Sequence, residues 1–303
     1  MATKQAAALS TAAIAALGTS QTIATTSQVV ALTTAQAAAL STSDIAVLGT
    51  SQAIALETSD VAALKSGQIV ALGTSNVAAL GTSQVAAIST GTIAVLGTSQ
   101  VAALTTSQVV ALATKQAAAL STAAIAVLGT SQAIVLETSD VAALRSVQIV
   151  ALGTSNVAAL GTSQVAAIST GAIAVLGTSQ VAALSTSQVV ALASAQAAAL
   201  STSAIAALGT SQAIVLETSD VAALRSGQIV ALGTSNVAAL GTSQVAAIST
   251  GAIAVLGTSQ VAALTTSQVV ALATKQAAAL STSAIAALGT SQTIALETSD
   301  VAA

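Results

Sequence analysis

An eight-residue period runs through this chain, and it decides most of what the chain can become. From Leu32 onward each block reads Leu, variable, Thr, Ser, Gln, Val, Ala, Ala, as in Leu80–Ala87 and Leu96–Ala103. We number these positions one to eight. The register continues to Ala303, and backward from Leu32 it needs one correction, because the block Thr25–Ala31 lacks its leading Leu. Eight residues make about 2.2 turns of α-helix, so in a continuous helix the apolar stripe would drift by roughly 80° per repeat. Each octad must therefore turn, and helices of about six residues are marginal alone. They need neighbours to stack on.

Position one is Leu, or Ile at Ile88, Ile168 and Ile248. Position three is Thr, or Ser at Ser66, Ser146, Ser194 and Ser226. Positions six to eight are apolar, with Thr22 and Thr293 as exceptions, and bulky Ile at seven accompanies a small residue or Thr at six, as in Ala53-Ile54 and Thr293-Ile294. That covariation predicts packing compensation in a core of Val, Leu and Ala. Position two takes Gly, Ser, Thr, Ala, Glu, Lys and Arg, which predicts exposure.

A hydroxyl two residues before Gln or Asp, followed by apolar residues, predicts an N-cap at position three and a helix from position four to the next position one. Asp60, Asp140, Asp220 and Asp300 at position five then fall in the first turn, where the helix dipole favours negative charge. Gly at position two, as in Gly73 and Gly81, suits a reversal after the helix. The predicted fold is an all-α solenoid of octapeptide repeats, each a short capped helix plus a turn. The alternative is a β-solenoid, for which Val, Ile, Thr and Gly speak. Four consecutive apolar positions oppose a strand with one wet face, and Ala is the best helix former.

A second period overlies the first. Leu112–Ala143 recurs at Leu192–Ala223 and at Leu272–Ala303, a spacing of 80 residues or ten octads, and Leu32 opens an earlier copy. The whole span 1–303 is predicted to be one solenoid, with ten-octad units starting near 32, 112, 192 and 272 and a shortened unit over 1–31. Met1 stands where a repeat Leu belongs, since Met1-Ala2-Thr3-Lys4-Gln5 matches Leu112–Gln116. Both ends fall on octad boundaries, which reads as a fragment of a longer array. The start lacks the charged and apolar regions of a secretory signal.

Composition removes most chemistry. There is no His, Cys, Trp, Tyr, Phe or Pro, hence no neutral-pH base, no thiolate and no common zinc ligand. Charged residues are 5% of the chain, against roughly 25% in an ordinary domain. Six Lys or Arg over the whole length give no patch for a run of phosphates, so no nucleic-acid partner is expected. Every octad carries polar residues, so no run of about 18 apolar residues exists for a membrane span.

Glu57 with Asp60 recurs as Glu137 with Asp140, Glu217 with Asp220 and Glu297 with Asp300. Acid-base and calcium chemistry would each need partners that are missing, so these pairs read as a first-turn Asp and a solvated Glu. Glu57 precedes Lys65 by one octad, as Glu137 precedes Arg145 and Glu217 precedes Arg225, which predicts neighbouring charges if octads stack. Gly-Thr-Ser recurs throughout without a following Lys and reads as turn chemistry, not a phosphate loop. No catalytic, cofactor-binding or metal-binding residue is expected, no cofactor and no small-molecule substrate.

The string Leu104-Thr105-Thr106-Ser107-Gln108-Val109-Val110-Ala111-Leu112 resembles the short Leu-Thr-Thr-x-Gln-Val-Ala-Ala repeats of very large bacterial secreted and cell-surface proteins of adhesin type. The resemblance covers the whole chain and implies an extracellular or cell-surface stalk, matrix or filament. Gly at many second positions departs from that pattern. The chain is thus expected to be a structural repeat protein, not an enzyme, whose partner is itself, joined end to end through apolar terminal octads; Val301→Lys would then disrupt the joint. The alternative is ice or mineral-surface binding by a ladder of Thr, if those hydroxyls face solvent.

Overall fold

A computed structural model describes residues 3–17 and 25–296. Among them every regular element is a short α-helix, 36 in all, from α1 (Thr3–Ala8) to α36 (Thr290–Ala295). This is the all-α solenoid expected from the period; no strand occurs among the described residues. Thr22, Glu297, Asp300 and Val301 lie outside them.

One octad makes one helix, but the frame differs from the sequence reading by one residue. In α7 (Thr58–Ala63) the helix begins at position three, and the N-cap is position two, Glu57, with φ −70° and ψ 156°. In α13 (Thr106–Val110) the N-cap is Thr105, not Thr106. The hydroxyl at position three is therefore inside the first turn and does not cap it. Position one is the corner: Leu64 caps the end of α7 in extended conformation, φ −64° and ψ 138°. Two extended residues, Leu64 and Lys65, then separate α7 from α8 (Ser66–Ala71).

The reversal that second-position Gly suits, at Gly73 and Gly81, occurs at the first and not at the second. Gly73 and Gly233 have φ of +73° and +76°, in the left-handed region, and there the next helix follows after a single residue. Gly81 has φ −68° and is an ordinary extended N-cap. Ala113 and Ala193 hold the same place with φ −68° and −72°, so most corners need no glycine.

Backbone contacts divide the chain into two compact units, Met1–Leu152 and Gly153–Ala303. In each unit a helix packs on the helix three octads before it and the one three octads after. In the first, α7 lies between α4 (Thr34–Ala37) and α10 (Thr82–Ala87). In the second, α27 (Thr218–Ala223) lies between α24 (Ser194–Ala199) and α30 (Thr242–Ala247). Three octads thus make one turn of the stack.

The core is built from positions one, five and six. Leu64, Gln68 and Ile69 are buried, and so are Leu224, Gln228 and Ile229. Position seven faces solvent: Ile54 is 52% exposed and Val70 43%. The covariation of Ala53 with Ile54 is therefore not core compensation, because Ala53 is fully buried while Ile54 points away from it. With helices this short the buried stripe is two residues wide, and a third consecutive side chain rotates out.

Candidate functional site

The residues that could carry chemistry gather at the corners. At each standard corner the position-five glutamine serves two backbones at once. In α13 the Gln108 Oε1 accepts from the Thr105 N–H at 2.8 Å, closing the first turn of its own helix. Its Nε2 donates to the Leu80 carbonyl at 2.7 Å and the Val77 carbonyl at 2.9 Å, at the end of α9 (Gly73–Ala79), four octads earlier. The second unit repeats this at Gln188, which accepts from the Ser185 N–H at 2.8 Å and donates to the Leu160 carbonyl at 2.8 Å. Helix ends leave backbone donors and acceptors without partners. One buried amide supplies both kinds, so the ladder of glutamines joins each turn to the one before.

Sequence reasoning placed Gln in the first turn but missed this second role. The signal was present as capping-box spacing, Ser or Thr three residues before Gln, in Thr33…Gln36, Thr105…Gln108, Ser185…Gln188 and Thr265…Gln268. Where position two is Gly the backbone half of the box survives, as in the Gly49 N–H donating to Gln52 Oε1 at 2.7 Å.

Aspartate at position five keeps half of this arrangement. Asp140 Oδ2 accepts from the Glu137 N–H at 3.1 Å and Asp220 Oδ2 from the Glu217 N–H at 3.1 Å, as a first-turn carboxylate should. Having no N–H, neither can donate to the turn before. Both are buried, Asp140 completely. Asp220 Oδ1 accepts from the Ser194 hydroxyl at 2.9 Å. The equivalent Thr114 hydroxyl donates instead to Ser139 Oγ at 3.2 Å, and Asp140 Oδ1 makes no hydrogen bond. Burial raises the pKa of both groups above the ordinary 3.8, outweighing the hydrogen bonds that lower it, and the neighbouring Glu137 or Glu217 adds to the rise.

The glutamates Glu57, Glu137 and Glu217 are exposed, as expected, but they stand at the N-cap, a role the sequence reading gives to position three. Their spacing from Lys65, Arg145 and Arg225 does not make stacked pairs: octads stack three apart, so charges one octad apart stand on successive helices of a single turn. Among the described residues no group of three acidic residues, cysteines or histidines could hold a metal ion, and no helix is long and apolar enough to cross a membrane. Hydroxyls at position three, such as Thr82, Thr98 and Thr106, face solvent. The corner's chemistry is hydrogen bonding of one turn to another.

A family model described as ALTTAQ repeat matches the chain six times, at residues 53–90, 85–114, 133–170, 165–194, 213–250 and 246–274. These matches cover more than half of the sequence. No curated protein and no solved structure matches it to significance.

Proposed function

The chain belongs to the ALTTAQ repeat family, and from that membership together with the corner geometry we propose that it is a structural protein and not an enzyme. It serves as an extracellular or cell-surface stalk, matrix or filament, assembled from copies of itself end to end. The observation that carries this reading is the repetition of one stacking contact. Ile205 on α25 (Thr202–Ala206) is fully buried between the helices three octads before and three octads after it, α22 (Thr178–Ala182) and α28 (Ser226–Ala231). A turn supplied by another copy would meet the same kind of apolar surface, because the bulky side chains of positions one and six recur along the chain. Apolar area buried there contributes about 25 cal/mol per Å², and a charge content of 5% offers little repulsion. Contacts of this head-to-tail kind do not close, so they generate fibres.

Sedimentation velocity at rising concentration tests the proposal. Wild type should form a growing series of species, and Val301→Lys should shorten the series while the helical circular dichroism signal persists. A wild type that stays monomeric at high concentration would leave a simple monomeric spacer as the better account.

Binding to ice or a mineral surface has one observation in its favour, the exposure of the position-three hydroxyls, which are not consumed as N-caps. Their rows follow the spacing of packed helices, about 8–10 Å. Thermal hysteresis in the wild type, lost on Thr82→Val with Thr106→Val, would favour that reading.

A further inference from the structure

We propose that Asp140 and Asp220 are proton-operated joints of the stack: when protonated, each carboxyl donates to the carbonyl of Leu112 or Leu192, as a glutamine amide does at the standard corner. The bond between successive turns is then complete at these two corners. At higher pH the carboxylates have no proton to donate to those carbonyls, and Asp140 Oδ1 is left without a partner.

Geometry carries the argument. In the glutamine ladder the strongest donation goes to the Leu at position one, 28 residues earlier, as in Gln188 Nε2 to the Leu160 carbonyl. Leu112 and Leu192 hold that place for Asp140 and Asp220. A side chain of aspartate's length reaches this carbonyl at the left-handed glycine corners, where the helix starts one residue earlier: Asn76 Nδ2 donates to the Leu48 carbonyl at 2.7 Å, and Asn236 Nδ2 to that of Leu208 at 2.8 Å. Asn is the isostere of protonated Asp. Asp140 Oδ1 is closed off from solvent and lacks any partner, and a proton is the one partner that needs no added room.

Against Asp220, neither α24 nor α30 carries a charged residue. The nearby charges are Glu217 on its own N-cap and Arg225 in the following octad. Within its unit Asp140 meets α14 (Thr114–Ala119), which brings Lys115, exposed at position four, together with Glu137 on its own N-cap and Arg145 in the next octad. Burial therefore dominates and favours the neutral acid. A pKa raised on folding contributes stability that is fully present below the ordinary value of 3.8 and is lost as pH rises through the raised value. These two joints tighten in acid, opposite to the usual behaviour of paired carboxylates.

Thermal melting of the full chain, followed by circular dichroism between about pH 4 and 8, tests the proposal against Asp140→Asn with Asp220→Asn. At pH 7 the double variant should melt about 2–4 °C above wild type, and the gap should close on acidification as the wild-type carboxyls take up protons. A gap that is constant with pH, or a variant that melts lower at pH 7, overturns it. If the variant does not fold, carbon-13 titration of the two wild-type carboxyls decides: midpoints above 3.8 support the joints, and midpoints at or below it contradict them. Ser194→Ala, which removes the hydroxyl bonded to Asp220 Oδ1, should raise the Asp220 midpoint further and leave that of Asp140 in place.

Discussion

Glutamine at position five is where one side chain decides the most. Gln108→Ala removes the acceptor for the Thr105 N–H and the donors for Val77 and Leu80 together, leaving buried backbone groups unpaired at about 1–3 kcal/mol. Gln108→Glu keeps the acceptor and loses only the donors, so chemical denaturation of the two variants separates the cap from the ladder; Glu should be at least as damaging, since it buries an unpaired charge. Second-position glycine offers a contrasting pair. Gly73→Ala forces a side chain into φ +73° and should cost about 1–2 kcal/mol, whereas at Gly81 the added Cβ would meet Gln84 Oε1 at an ordinary 3.5 Å and should be tolerated. Equal effects of the two glycine substitutions in urea melts would contradict the backbone assignment. The sequence identified second-position glycine as turn chemistry and placed Gln in the first turn, but the identical letters Leu-Gly-Thr-Ser at Leu72 and Leu80 hide different φ values, and only the packing of α8 against α9 separates them.

At the scale of the helix, the period alone dictates a short helix and a turn, and this was legible without coordinates. The one-residue error in its frame came from taking the position-three hydroxyl as the cap. Thr and Ser at positions two and three both suit a helix start, and the choice depends on which backbone N–H the glutamine reaches. The burial of position five was equally hidden, because a polar residue in a first turn is usually solvated, and its burial follows from the turn stacked against it. Each helix has four to seven residues, below the length that is stable alone in water. A two-octad peptide, Leu192–Ala207, should therefore show a coil spectrum by circular dichroism, and Leu192–Ala263, which spans three full turns, a helical one. A helical short peptide would mean that propensity and not stacking holds the helices.

For the whole molecule, the two periods do not match. Ten octads are not a whole number of three-octad turns, so equivalent octads of successive 80-residue units fall on different sides of the stack. Within the first unit α7 follows the series α4, α7, α10, whereas its equivalent α17 (Thr138–Ala143) packs on α14 in the series α8, α11 (Thr90–Ile93), α14. Within the first unit the Glu and Asp pairs of α7 and α17 thereby fall on different series of the stack. The apolar core recurs in every octad, and the glutamine ladder in most, broken where position five is Ala, Asp, Asn or Thr, as at Ala124, Asp140 and Asn76; these are the features that a second copy would have to match. The number of octads per turn could not be read from the sequence, because the same octad stacks equally well in any closed turn until the corner angle is known. Fibre diffraction from concentrated, aligned material tests most directly the claim that this helical stack continues from one chain into the next. The account predicts oriented fibres with an axial repeat at the spacing of packed helices, about 8–10 Å. Unoriented scattering from separate particles, or a repeat near 4.7–4.8 Å as in stacked strands, would contradict it.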